Sequence, residues 1–344
     1  MSSELLQAID PLSGTEWDSL VDQTAEPQFF HYSSWAKTLI DTYSFKPLFY
    51  STVSEKSCTM PFIQVKSLKG KKKAIALPFS DGCDIVCKSI YHEKLVNALL
   101  GEAKRLGLDT LEFRGTETFA PLGEPSHSYW GHRLDLTVGE KKLWADLASS
   151  TRRNIRKAQK ESVSVAFHDD LKSVHEFYRL HCITRKRHGL PPQPIRFFDN
   201  IHKHLISGGK GKVALATAGG KVVAGAVYLF TKKSALFKFG ASDKNQQHFR
   251  ANDLVMWEAI RSFSEKGYKV MSFGKTEKYH EGLCRYKEGF GGVRVQLNDH
   301  VYDVSSGKKL LEAPSVHGIH NKVFRRMPIS ILRFCGEMLY RYSA

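Results

Sequence analysis

The chain has 344 residues, a hydrophobic share of 42% and a formal net charge of +16. That length fits one very large domain or two ordinary ones, and the apolar share is too high for a disordered chain. The positive surplus favours anionic partners: nucleic acid, nucleotide-linked substrates or an acidic membrane surface. The opening Met1-Ser2-Ser3-Glu4-Leu5-Leu6 does not read as a secretory signal, and no stretch has the length of a membrane span. The six cysteines are scattered and read as reduced thiols; the fifteen histidines form no metal-binding spacing, so no metal site is expected.

In chain order, residues 13–43 read as helix around Trp17, Leu20, Trp35 and Leu39. Strands follow at Pro47–Val53 and Thr59–Ser67, joined by a turn at Ser54–Ser57. Lys69–Lys73 reads as a solvated basic turn. Ala74–Leu77 and Asp84–Cys87 are further strands, around the loop that holds Asp81. Leu95, Ala98, Leu99, Ala103 and Leu106 give His92–Gly107 a helical apolar face, and Asp109–Phe113 is the next strand.

A repeat then emerges. Ala103–Glu117 aligns without gaps on Phe263–Glu277: Gly107 meets Gly267, Phe113 meets Phe273, and Thr116-Glu117 meets Thr276-Glu277. Leu48–Val65 resembles Val213–Phe230, with Lys56 and Lys221 in the two turns, and Trp130–Leu136 corresponds to Phe290–Leu297. An order of two strands, helix and two strands thus recurs about 160 residues apart, which implies a duplicated α/β unit. The boundaries drawn are an N-terminal domain over 1–139, a second over 140–310, and a tail over 311–344.

The second half carries the candidate chemistry. Ser149-Ser150-Thr151 offer N-cap side chains to a helix from about Arg152. Arg152, Arg156 and Lys160 share a face of it, with Arg153 and Lys157 beside them. Such a stripe binds phosphates or is simply a solvated face; the scarcity of interleaved acids favours phosphate. Asp170–His188 is helical, an extended turn follows at Leu190–Pro194, and Ile195–Leu205 resumes a helix. Lys212–Phe230 and Lys233–Ala241 supply three strands, and Phe249–Lys266 a helix. After the strand-like Tyr268–Phe273 and Gly274, a short helix over Glu281–Glu288 is expected to close on a left-handed Gly289. Lys287 sits in its last turn. Beside the following glycines it suits an anionic group or a developing oxyanion, or it merely complements the carbonyl end of its helix. Only the second copy has this Tyr286-Lys287-Glu288-Gly289 stretch, which places the chemistry there. Asn321–Arg341 is basic and apolar together, and either docks on the protein's own core or lies on an anionic bilayer.

Phe177-Tyr178-Arg179, Arg185–Gly189, Leu190–Pro194, Phe197-Phe198, Leu254–Glu258, Phe273-Gly274 and Tyr286–Gly291 together resemble the signature of FemAB-like proteins, within the GNAT-type acyltransferase superfamily. The resemblance is specific over roughly 140–300. It implies an α/β fold of two tandem GNAT-like mixed-sheet domains. The best-known members add amino acids from aminoacyl-tRNA to peptidoglycan precursors. Carried onto this chain, Lys287 matches a lysine implicated in catalysis, and Arg152, Arg153 and Arg156 match a basic helix. The helical arm of some members has no counterpart. The loop Asn245–Asn252 lacks the glycines that cradle coenzyme A in ordinary GNAT enzymes, where Arg250 could supply charge instead.

The expected function is acyl or aminoacyl transfer to an amine on an anionic cell-envelope glycan or lipid-linked precursor. Lys287 is assigned to the oxyanion, Arg152, Arg153, Arg156, Lys275 and Arg250 to anionic groups, and Glu277 and Asp81 are candidate bases. No bound cofactor is expected; the donor is aminoacyl-tRNA or acyl-CoA. The location expected is cytoplasmic, with membrane contact through 321–341 as an option. Two alternatives stand beside this: an acyl-CoA-dependent N-acetyltransferase acting on an amino sugar, and a non-catalytic RNA- or membrane-binding protein.

Overall fold

The apolar spacing becomes helices and strands largely in the expected order. The structure, a computed structural model, describes residues 5–24, 28–52, 58–83, 85, 92–116, 123–311 and 320–342. The expected turn at 54–57, most of the strand expected at 84–87, and Glu117 lie outside the described residues. The chain begins with β1 (Leu6–Ala8), α1 (Glu16–Asp22), α2 (Ser33–Tyr43), β2 (Lys46–Thr52), β3 (Thr59–Lys66), β4 (Lys72–Ile75), α3 (His92–Arg105) and β5 (Thr110–Thr116). Next come β6 (His127–Asp135), α4 (Glu140–Asp146), α5 (Ser149–Lys160), β7 (Ser164–His168), α6 (Leu171–His188) and α7 (Ile195–Ile201). They are followed by β8 (Gly211–Ala218), β9 (Lys221–Phe230), β10 (Ser234–Ser242), α8 (Ala251–Glu265), β11 (Val270–Ser272), β12 (Thr276–Glu277) and α9 (Glu281–Glu288). The last elements are β13 (Val293–Asp303), β14 (Lys309–Leu310), α10 (His320–Arg326) and α11 (Ile329–Leu339).

Three local expectations change. The first helical region is two helices with a 3-10 turn at Phe29–His31 between them. The helix expected over 195–205 ends at Ile201 and continues as a π-helical turn, His202–Ile206. Ser149-Ser150-Thr151 form the first turn of α5 and do not cap it; Ala148 is the N-cap residue. Its amide is fixed from outside, donating to Gly289 O at 2.9 Å.

By packing, the chain forms two units that are not the contiguous stretches drawn from the sequence. One contains Met1–Tyr129, Gln296–Ser315 and Leu339–Ala344; the other contains Trp130–Val295 and Val316–Met338. The first unit's strands run β1-β2-β3-β4-β5-β13. Neighbours are antiparallel except β4 and β5, which are parallel with α3 between them in sequence. The second unit's strands run β7-β8-β9-β10-β11-β6. Again all pairs are antiparallel except one, β10 and β11, with α8 between them. Parallel neighbours need such a crossover, so the two sheets share one plan. The closing strand of each sheet comes from the other half of the sequence: β13 completes the first and β6 the second.

Equivalent residues behave alike. Gly107 and Gly267 both take left-handed backbone, at φ 63° and 78°. Phe113 and Phe273 are both core residues, and Thr116 and Thr276 are both buried. The first unit's core holds Trp17, Trp35, Phe62 and Phe113; the second's holds Tyr228, Trp257, Phe263, Phe273 and Phe290. Each such aromatic contributes about 2–3 kcal/mol of hydrophobic burial.

Candidate active site

In the second unit two parallel strands part. β10 and β11 pair in parallel only from Ser234–Val270 to Leu236–Ser272. β11 then stops, while β10 runs on from Phe237 to Ser242. Where parallel strands part, main-chain donors and acceptors become available to an extended ligand. The far end of β10 is held from α6: Ser242 N donates to Thr184 Oγ1 at 3.0 Å, and that hydroxyl donates to Ser242 O at 3.2 Å. A 3-10 turn, Lys244–Phe249, leads to α8, with the Asp243 side chain accepting from Asn245 N at 2.9 Å. Arg250 is the N-cap residue of α8 and takes left-handed backbone at φ 56°. The turn that lacks glycine is thus made by an arginine in a conformation costing about 1–2 kcal/mol. A cation at a helix N-terminus opposes the helix dipole, so exposed Arg250 favours an anion beside it. Asp253 in the first turn is buried and accepts from Asn154 Nδ2 of α5 at 3.3 Å; burial raises its pKa.

Beyond β11 the chain turns at Gly274, whose φ is 70°, makes β12 and enters α9. The bounds of α9 are those read from the sequence. Its last turn carries Lys287 inward, only 3% exposed. Lys287 Nζ donates to Gly274 O at 2.9 Å and to Thr276 Oγ1 at 2.6 Å. A buried ammonium is costly unless hydrogen-bonded, and these two oxygens, both on the segment from β11 to α9, supply bonds. Gly289 does not close α9 in the left-handed region; its φ is −61°. Glycine is required there for space, since a Cβ would lie 2.7 Å from Thr151 Oγ1 of α5. Gly291, at φ 84°, makes the left-handed turn instead.

His132 on β6 is the functional candidate that sequence reasoning missed. It is fully buried, and neither ring nitrogen has a hydrogen-bond partner among the described residues. Its Nε2 lies 3.8 Å from Glu288 Oε1, too long for a hydrogen bond. Burial, and then the neighbouring Lys287 charge, lower its pKa to about 4, against the opposing pull of Glu288. The ring is therefore neutral near pH 7. Glu288 is engaged by Arg294, whose Nη2 lies 2.7 Å from its Oε1. Trp130, also on β6, has Lys278 Nζ 4.9 Å and the Arg294 guanidinium 5.1 Å from its ring centroid. Only the alignment of 130–136 with 290–297 pointed to this strand, and it singled out no histidine.

The other sequence candidates divide. Lys275 and Glu277 flank Thr276 and are half-buried, so they share the Lys287 segment. Tyr286 joins α9 to the start of α8, its hydroxyl donating to Asn252 O at 3.3 Å; burial pushes its pKa well above the ordinary phenol value. Within the arginine row, Arg152 Nη1 donates to Ala145 O at 2.7 Å, at the C-terminal end of α4. The Arg156 guanidinium lies 5.7 Å from the Trp144 ring centroid. Those two side chains hold α4, while Arg153 is exposed. Asp81 belongs to the first unit. Among the described residues, no group of His, Cys, Asp and Glu is placed to hold a metal ion.

Residues 146–288 match the model of the acetyltransferase (GNAT) domain. No curated protein matches the sequence. Among solved structures, the fold is similar to FemX, at 15% identity over 85% of this chain and 96% of that one, with a TM-score of 0.66. It is also similar to the C-terminal domain of a putative lysylphosphatidylglycerol synthetase from Agrobacterium fabrum, at 16% identity, 83% and 91% coverage and a TM-score of 0.56. A tandem GNAT protein from the clavulanic acid biosynthesis pathway gives 10% identity, 90% and 99% coverage and the same TM-score, 0.56. The chain thus has a tandem GNAT fold similar to that of FemX, and its residues 146–288 match the acetyltransferase (GNAT) domain.

Proposed function

We propose that the protein transfers an acyl or aminoacyl group to an amine on an anionic glycan or lipid-linked precursor. The observation that carries this reading is the buried Lys287 ammonium, fixed on Gly274 O and Thr276 Oγ1 just past the end of β11. An activated ester or thioester already has a good leaving group. The enzyme then mainly aligns the amine with the carbonyl and stabilises the oxyanion that forms. A cation held by two bonds on a short segment is organised before the reaction begins. In this reading the donor's extended arm runs along the β10 edge from Phe237 to Ser242, and Lys287 provides the charge beneath the reacting carbonyl. Glu277 takes the proton lost by the attacking amine. Lys275, Lys278, Arg294, Arg250 and Arg153 attract the acceptor's negative groups, and the net charge of +16 supports an anionic acceptor.

The A. fabrum neighbour is named for making an aminoacylated anionic lipid, and the FemAB-like resemblance implies aminoacyl-tRNA as donor. The glycine-free, arginine-capped start of α8 favours that donor over acyl-CoA acting on an amino sugar. Thermal-shift titration with acetyl-CoA and with aminoacyl-tRNA separates the two. Stabilisation by aminoacyl-tRNA, followed by mass-detected transfer to a lipid- or nucleotide-linked amino-glycan, is expected. Steeply salt-dependent RNA binding with no transfer from either donor would overturn the proposal and leave a binding protein.

A further inference from the structure

The segment from α10 to α11 settles on the second unit by one face and presents a different one outward. A Cβ on Gly336 would lie 2.0 Å from Pro192 O, so the backbone of α11 lies directly against that loop. Leu332, on the same side, is fully buried. The Arg333 guanidinium lies 5.5 Å from the Tyr178 ring centroid of α6. α10 meets the end of α6 just as closely: a Cβ on Gly189 would be 2.2 Å from Asn321 O. This docking leaves Ile331, Phe334 and Met338 outward, at 47%, 67% and 54% exposure. Their spacing of three and four residues puts them in one stripe along α11. Val323 on α10 is outward as well.

The charge carried by this segment is mostly positive. Between residues 320 and 342 stand Lys322, Arg325, Arg326, Arg333 and Arg341, against the single acid Glu337. All six are exposed. No described helix is long and apolar enough to cross a membrane. At 1.5 Å per residue α11 is roughly 16 Å long, about half a bilayer core, so contact with lipid would be at the surface.

We propose that α10 and α11 form a docking surface for an anionic lipid bilayer. Ile331, Phe334 and Met338 enter the acyl boundary, and the Lys and Arg side chains meet lipid phosphates. Burial of the apolar stripe and attraction to anionic headgroups act together in such a helix. A protein partner would need an acidic rim around an apolar socket; a bilayer offers both without a specific shape.

The test is flotation of the full chain with two vesicle types: pure phosphatidylcholine, and phosphatidylcholine with phosphatidylglycerol in equal parts. Binding to the mixed vesicles only, weakened by added salt, is expected. Replacing both Phe334 and Ile331 (Phe334→Ser with Ile331→Ser) should lower partitioning about tenfold or more. The pair Arg325→Gln with Arg326→Gln should lower it several-fold while leaving the apolar stripe intact. Thermal unfolding of each variant establishes that it is folded. Failure of the unsubstituted chain to float with anionic vesicles at low salt would overturn the proposal. So would undiminished flotation of the folded Phe334→Ser, Ile331→Ser variant. A chain that is dimeric, ignores vesicles and becomes monomeric on that substitution would assign the face to a second copy instead. None of these outcomes depends on the acyl-transfer reading.

Discussion

Lys287 carries its charge where water hardly reaches, and two of its donor bonds end on the segment that joins β11 to α9. The side chain thus shapes the loop as well as charging it. Lys287→Met keeps the length and apolar stem, removes the charge and releases both oxygens. Turnover at saturating donor should fall about 10²–10³-fold, the usual loss for one oxyanion donor, with the thermal transition still cooperative. Thr276→Val removes one acceptor and leaves the charge, so a smaller loss, about tenfold, is expected in the same assay. If both variants lose only thermal stability and keep turnover, Lys287 acts as a clamp on the loop. His132 extends the residue-scale picture, because its neutral ring sits beside that ammonium with no bond to spend on either nitrogen.

At the scale of elements, legibility followed the range of the interactions. α6 was readable because its ends are written locally. Asp170 Oδ1 accepts from Ser173 N at 2.9 Å, and Gly189 at φ 70° closes α6 with Leu190 N donating to Arg185 O. The duplication was readable because Gly107 and Gly267, and Phe113 and Phe273, serve the same turn and the same core position. The exchange of β6 and β13 was not, since no local pattern says which strand closes a sheet. Lys287 was singled out from its spacing as a candidate, whereas its burial, the α4 contacts of Arg152 and Arg156, and the place of His132 depend on distant neighbours. Gly289 shows how the right residue can be noted for the wrong reason: it needs room beside Thr151 rather than positive φ. The same logic makes Gly336 a test of docking. Gly336→Ala puts a methyl group on a main-chain carbonyl that cannot yield cheaply, so α11 should lift by about 1–3 kcal/mol of local stability. Faster tryptic cleavage between Lys322 and Arg341, with the rest of the chain resistant, is the expected result. Cleavage at the unsubstituted rate would show that α11 is not seated there.

For the molecule as a whole, three of the buried histidines contribute to its behaviour in acid. Burial lowers the pKa of His132 to about 4, of His300 to about 4 and of His181 to about 3, with the charges of Lys287, Lys309 and Arg185 adding to it in turn. Each pKa lies below the unfolded value near 6.5, so between the two the unfolded chain binds more protons. Their contribution to stability is therefore complete above about pH 6.5 and declines as pH falls toward about 4. His132→Gln cannot take up that proton, so its urea midpoint should fall less than the parent's between about pH 6.5 and about pH 4. Parallel profiles would mean that His132 is not held neutral. The role of Lys287 is tested by single-turnover transfer of a labelled acyl or aminoacyl group to an amine-bearing anionic glycan or lipid precursor, run with the parent chain and with Lys287→Met at equal folded concentration. Transfer by the parent and at least about a hundredfold slower transfer by the variant is the predicted result; equal rates in the two proteins would contradict it.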